Sequence, residues 1–182
     1  MIKTIIDKLL GKEPASRSRK PRFGKREEVP ASVHGIDLQL VDPRAIDVVR
    51  TLKDEGYEAY VVGGAVRDLL LGLRPKDFDV ATNATPEQVK GLFRRAFIIG
   101  RRFRIVHVVY GRGRENEVIE VTTFRAFLDS SKAEHVQGNE KTSKAALAGM
   151  KLAVDASGRV LRDNVWGPQD EDAARRDFTV NA

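Results

Sequence analysis

Residues 60–82 read YVVGGAVRDLLLGLRPKDFDVAT, from Tyr60 to Thr82. Glu58–Val62 is β-rich and apolar at its end, which predicts a buried strand. Gly63 and Gly64 predict a tight turn, because neither carries a Cβ and the backbone there can approach a ligand closely. Ala65–Leu71 predicts a short helix stopped by Gly72. The free N–H groups and positive dipole end of such a helix suit a phosphate. Arg67 adds a charged fork for phosphate oxygens. A second strand is expected to carry Asp77 and Asp79. Two residues apart on a strand, they share one face while Phe78 points to the other. Two carboxylates on one face suit a hard divalent cation. Either motif alone is common; their order and close spacing give the stretch its weight.

Working outward, Asp42-Pro43 predicts a helix start, with Asp as N-cap and Pro at the first helical position. Ile46, Val49 and Leu52 continue on a helical period until Gly56. Thr85-Pro86-Glu87 opens another helix, Pro86–Phe93. Ala96–Ile99, Ile105–Tyr110 and Glu117–Thr123 read as strands, the last two joined by the charged, Gly-containing turn Gly111–Asn116. This alternation argues for an α/β domain with a mixed sheet that starts near Val41. Residues 126–151 are polar and without a sustained period, and are expected to form a long flexible insertion. Leu152–Leu161 reads as two short extended pieces about a turn. Pro168–Arg175 reads as a helix with acidic residues in its first turn.

The chain of 182 residues carries a formal charge of +6 and no cysteine. A cysteine-free chain excludes disulfides, thiolate metal sites and a cysteine nucleophile, and suits the reducing cytoplasm. No apolar run reaches the length of a membrane span. Residues 1–30 hold nine Lys/Arg against four Asp/Glu, so most of the net charge lies in a leader. Residues 1–40 are therefore expected to be a disordered basic leader, with a short amphipathic start at Met1–Leu10. Such a leader can attract RNA phosphates or a membrane surface, or can simply be solvated.

GGAVRDLLLG (Gly63–Gly72) with PKDFDVATNATPEQV (Pro75–Val89) resembles the head domain of the class II nucleotidyltransferases. VIEVTTFR (Val118–Arg125) and RRDFTVNA (Arg175–Ala182) resemble two further motifs of that superfamily, in the expected order. GRRFRIVHV (Gly100–Val108) and LRDNVWG (Leu161–Gly167) are similar to bacterial poly(A) polymerases rather than to CCA-adding enzymes. The resemblance implies an α/β (α+β) polymerase-beta-like head domain over residues 41–182, with a mixed sheet flanked by helices. It implies Mg²⁺, or Mn²⁺ in its place, on Asp77 and Asp79. Glu120 then either completes a carboxylate trio or stands as a solvated strand residue. Asp177 becomes a further catalytic carboxylate and Arg176 a nucleotide contact. Gly63, Gly64 and Arg67 would cradle the triphosphate, and Arg125 would face the nucleotide or close a surface pair. ATP and RNA 3′ ends are the implied partners.

Other residues have structural readings. Trp166 is expected as a packing anchor, with stacking on a base as the alternative. Phe78 is expected in the core. His34, His107 and His135 lack metal-ligand spacing, and His107 reads as a core or edge residue of its strand. Arg101, Arg102 and Arg104 suit either a phosphate path or an exposed strand entry. Members of the superfamily continue into helical domains that read the base and grip RNA, whereas this sequence stops inside RRDFTVNA. It therefore reads as a piece of a longer enzyme. CCA addition and a non-catalytic nucleotide- or RNA-binding module are the competing functions.

Overall fold

A computed structural model describes residues 27–100, 102–111, 116–126, 134–135, 152–154, 157, 160–176 and 179–181. The expected amphipathic start, most of the basic leader and most of the 126–151 insertion lie outside these residues. So do Asp177 and Arg101.

Helix α1 spans Ala31–His34, followed by a 3-10 turn at Leu38–Leu40. Secondary structure therefore begins ahead of the expected start near Val41. The physical reason is packing, since Ile36 and Leu40 are partly buried against the core. Helix α2 spans Pro43–Asp54. Asp42 caps it, its side chain accepting from the Arg44 N–H at 2.8 Å. Ala45, Val48 and Leu52 are its buried residues, a helical spacing that lays one stripe on the sheet. Gly56, with φ 84°, ends the turn that follows.

Strand β1 covers Ala59–Val62, helix α3 Gly64–Leu70, and strand β2 Asp79–Thr82. Helix α4 covers Pro86–Leu92, and Thr85 and Gln88 form a reciprocal capping box at its start. Strands β3 (Ala96–Ile99), β4 (Ile105–Tyr110) and β5 (Glu117–Thr123) follow, with the bounds read from the sequence. The five strands form one sheet in the order β1-β2-β5-β4-β3. It is mixed: β2 and β5 are parallel, and the other neighbours are antiparallel.

Helices α2 and α4 cover one face. Val48, Leu52, Val80, Val89, Val106 and Val121 are at most 1% exposed there. Burying each such side chain favours folding by roughly 1.5–3 kcal/mol before entropy is counted. The opposite face is left open around Asp79, Glu120, His107 and Phe97. A second sheet, β6-β7-β8, consists of Glu134–His135, Leu152–Val154 and Val160–Asp163. Strand β6 falls inside the expected insertion, where it pairs in parallel with β7. Helix α5 (Gln169–Ala174) and a 3-10 turn at Thr179–Asn181 complete the described chain.

Candidate active site

Sheet register assembles the site. Asp79 pairs with Val62 on β1 and with Glu120 on β5. Glu120 in turn pairs with His107 on β4, and His107 with Phe97 on β3. Residues in register share a face, so one row crosses the sheet: Val62, Asp79, Glu120, His107, Phe97. Of the two readings of Glu120 left open by the sequence, the register sets its strand beside that of Asp79, with the two residues directly paired.

Asp77 departs from expectation. It lies in a bend ahead of β2, which starts at Asp79, because Pro75 and the preceding turn hold that approach out of the ladder. Alternation survives the bend. Phe78 is 5% exposed and enters the core, while Asp77 is exposed and Asp79 half-buried.

The glycine turn closes onto this row. Gly63 has φ 75°, ψ −147°, a conformation that favours glycine. A Cβ there would lie 3.4 Å from Asp79 Oδ2 and 3.5 Å from Arg176 Nη1. Gly63 therefore brings backbone, carboxylate and guanidinium to one point. It also caps α3 without a side-chain bond, and its carbonyl accepts from the Val66 N–H of the first turn at 3.1 Å. Arg67 folds back over this turn, with Nη2 3.4 Å from where a Gly64 Cβ would stand. It pairs with Asp68 at 2.7 Å and donates to Asn181 Oδ1 at 3.3 Å. Arg176 donates to the Asn181 carbonyl at 3.0 Å and lies 3.7 Å from Asp172. Asn181 thus ties both arginines beside the turn.

Burial pushes the Asp79 carboxyl above the usual carboxylate range. The neighbouring charge of Glu120 and, less strongly, Asp77 adds to this, while Arg176 opposes it. Among the described residues no three His, Asp or Glu side chains stand in metal-binding geometry. Asp77, Asp79 and Glu120 are nevertheless all hard oxygen donors, and the charges of Glu120 and Asp77 add to the upward push of burial on Asp79. Such a donor set fits a hard divalent cation, which would relieve the repulsion.

The sequence reading missed His107. Its Nε2 lies 3.4 Å from Glu120 Oε1, on the open face and not in the core. Strand alternation gives the face of His107, but only the β4–β5 register shows its partner.

Arg125 is linked toward the glycine turn through Asp172, which it shares with Arg176. Its backbone N–H donates to the Asp172 carboxylate at 2.9 Å, and its Nε is 4.0 Å from the same oxygen. Burial holds its guanidinium pKa below the usual arginine range, and the charge of Arg175 adds to this. Arg175 pairs with the fully buried Asp163 and donates to the Ala126 carbonyl at 2.8 Å, so it is a structural member of the Arg-Arg pair.

The sequence profile described as "Poly A polymerase head domain" matches residues 59–182. Poly(A) polymerase I of Salmonella typhi is 46% identical over 154 residues, covering 85% of this chain and 29% of that protein. The CCA-adding enzyme of Lactobacillus helveticus is 38% identical over 142 residues, covering 76% of this chain and 28% of that protein. A crystal structure of the Bacillus stearothermophilus CCA-adding enzyme in complex with CTP aligns with 75% of this chain and 33% of its own, at TM-score 0.41 and 30% identity. The chain thus spans about three tenths of the length of the curated relatives it matches. It belongs to the poly A polymerase head domain family.

Proposed function

We propose that this chain is the catalytic head of a template-independent poly(A) polymerase. The reaction transfers AMP from ATP to the 3′-hydroxyl of RNA. The hydroxyl oxygen attacks the α-phosphorus, the bond to the β-phosphate oxygen breaks, and pyrophosphate leaves in line. The observation that carries this reading is the close approach of the Gly63 turn to Asp79, where a Cβ would stand 3.4 Å from Oδ2, with Asp79 itself paired with Glu120. It sets a phosphate cradle against a carboxylate pair.

Each residue then has a part. The N–H groups of Gly64 and Ala65 at the start of α3, with Arg67, would hold the triphosphate. Arg176, tied by Asn181, neutralises charge beside Asp79. Asp77 and Asp79, with Glu120, would hold Mg²⁺, or Mn²⁺ in its place. A cation so held would supply activation of the hydroxyl and offset charge on the leaving pyrophosphate. Asp177 is assigned a further catalytic carboxylate on motif grounds alone. The cysteine-free composition suits the cytoplasm, where we place the reaction. Among the described residues no helix is long and apolar enough to cross a membrane. The basic residues of 1–26 would add phosphate contacts, which a shallower salt dependence of RNA binding on their deletion would reveal.

CCA addition to tRNA uses the same chemistry and is the second reading, favoured by the 38% identity to a CCA-adding enzyme. Product analysis separates the two. Offered oligo(A) with ATP, and tRNA lacking its 3′ end with CTP and ATP, a polymerase containing this head should build long A tails. Self-terminating addition of C, C and A would assign it to the second reading. Transfer unaffected by Asp77→Ala would contradict both.

A further inference from the structure

A pocket of about 390 Å³ opens on the same sheet face as the carboxylate row, a size typical of small-ligand clefts. Phe103, Ile105, Thr122, Arg125 and Trp166 line it. Thr122 follows Glu120 by two residues on β5 and so shares its face, roughly 7 Å further along the strand. Arg125 and Trp166 face each other across an isolated antiparallel bridge. Flanking bonds fix that bridge, Ala126 N–H to the Val165 carbonyl at 2.8 Å and Gly167 N–H to the Phe124 carbonyl at 3.0 Å. Directly paired residues project to one side, and both side chains line the pocket. The Arg125 guanidinium also lies over the Phe103 ring, 5.0 Å from its centroid. This is a half-buried cation on an aromatic bed, in a pocket that a second aromatic lines. Such a set recognises a nucleobase with its phosphate without reading sequence.

We propose that this pocket takes the 3′-terminal nucleoside of the acceptor RNA, with the base against Trp166 and the phosphodiester on Arg125. The inference rests on the polymerase reading above and reassigns Arg125 from donor nucleotide to acceptor strand. Topology carries the choice. The Gly63–Gly64 cradle follows β1, on one side of β2. Glu120 and the pocket belong to β5 and the start of β4, on the other side of β2. In-line transfer requires the attacking hydroxyl and the leaving pyrophosphate on opposite sides of the phosphorus. With the triphosphate on the β1 side, the acceptor arrives from the β5 side, where the pocket lies.

Trp166 is the only tryptophan in the chain, so its fluorescence reports this pocket alone. The chain would be titrated with a short oligo(A) RNA and, separately, with ATP and Mn²⁺. Binding of ATP–Mn²⁺ would be followed in parallel by Mn²⁺ paramagnetic resonance. Saturable quenching by oligo(A), with little response to ATP, is the expected result. Arg125→Ala should weaken oligo(A) about tenfold and leave ATP–Mn²⁺ binding unchanged. Arg125→Lys, which keeps the charge but loses the planar stack, should fall between. Should Arg125→Ala fail to fold, the lysine variant decides. Quenching by ATP in place of oligo(A) overturns the assignment, as does oligo(A) affinity that neither variant changes. If ATP–Mn²⁺ binds in an Asp79-dependent way and oligo(A) does not quench, this inference alone fails. If ATP–Mn²⁺ does not bind either, the polymerase reading fails with it.

Discussion

Asp79 on β2 and Glu120 on β5 are register partners on adjacent parallel strands, so two carboxylates from sequence-distant motifs share one row of the sheet. The two carboxylates repel, and the Asp79 carboxyl is raised by burial first and by Glu120 next. A carboxyl raised in the folded state costs stability when ionised. That cost is absent below the ordinary carboxylate pKa and grows as pH rises through the folded value. Asp79→Asn should therefore raise the melting temperature at neutral pH in chelator. The expected gain is about 0.5–1 kcal/mol after solvent screening, or roughly 1–4 °C. The gap should close toward acid pH. Added Mn²⁺ should stabilise the wild type and leave the variant unmoved.

His107 holds Glu120 from the other side, with Nε2 3.4 Å from Oε1. A residue that orients a cation ligand acts through that ligand. His107→Ala should lower Mn²⁺ affinity about tenfold, read by paramagnetic resonance, with a melting curve close to wild type. His107→Gln, which keeps an N–H donor, should recover part of the loss. Unchanged Mn²⁺ affinity in both variants would show that the contact has no role in the site.

Gly167 is required by close approach, because a Cβ there would lie 2.5 Å from the Ala126 Cα. Backbone cannot yield as a side chain does. Gly167→Ala should cost about 1–3 kcal/mol in chemical denaturation and shift the Trp166 emission, since it separates the two segments of the Arg125–Trp166 bridge.

Asp42 caps α2, and the hydrogen bonds of the Arg44 guanidinium, with that of the Arg44 backbone N–H behind them, hold its carboxyl below the usual range. A depressed carboxyl contributes stability above the ordinary carboxylate pKa, and loses it as pH falls through the lower folded value. Asp42→Ala should cost about 1 kcal/mol at neutral pH and progressively less in acid, measured by urea denaturation at several pH values.

Much of this was legible in the sequence because local chemistry dictates it. Asp42-Pro43 and Thr85-Pro86 mark helix starts through capping, and the alternation in Ile105–Tyr110 and Glu117–Thr123 marks strands that each bury one face. Strand order is not local. Nothing in residues 105–123 states that β5 inserts beside β2, so the Asp79–Glu120 pair was an open alternative and His107 was assigned a bland place. Asp77 was drawn onto the strand because alternation continues through Phe78, while the ladder begins only at Asp79. LRDNVWG does not show why it ends in glycine, because the backbone that Gly167 approaches, at Ala126, lies 41 residues away in sequence.

The proposed reaction requires Asp77 and Asp79 to hold a divalent cation against a triphosphate cradled at Gly63. Mn²⁺ paramagnetic resonance, with and without ATP, measures this directly in the wild type, Asp77→Ala and Asp79→Ala. That requirement predicts a bound Mn²⁺ signal in the wild type that strengthens with ATP and is lost in each variant whose fold is intact by circular dichroism. Equal Mn²⁺–ATP binding in the wild type and both variants would contradict it.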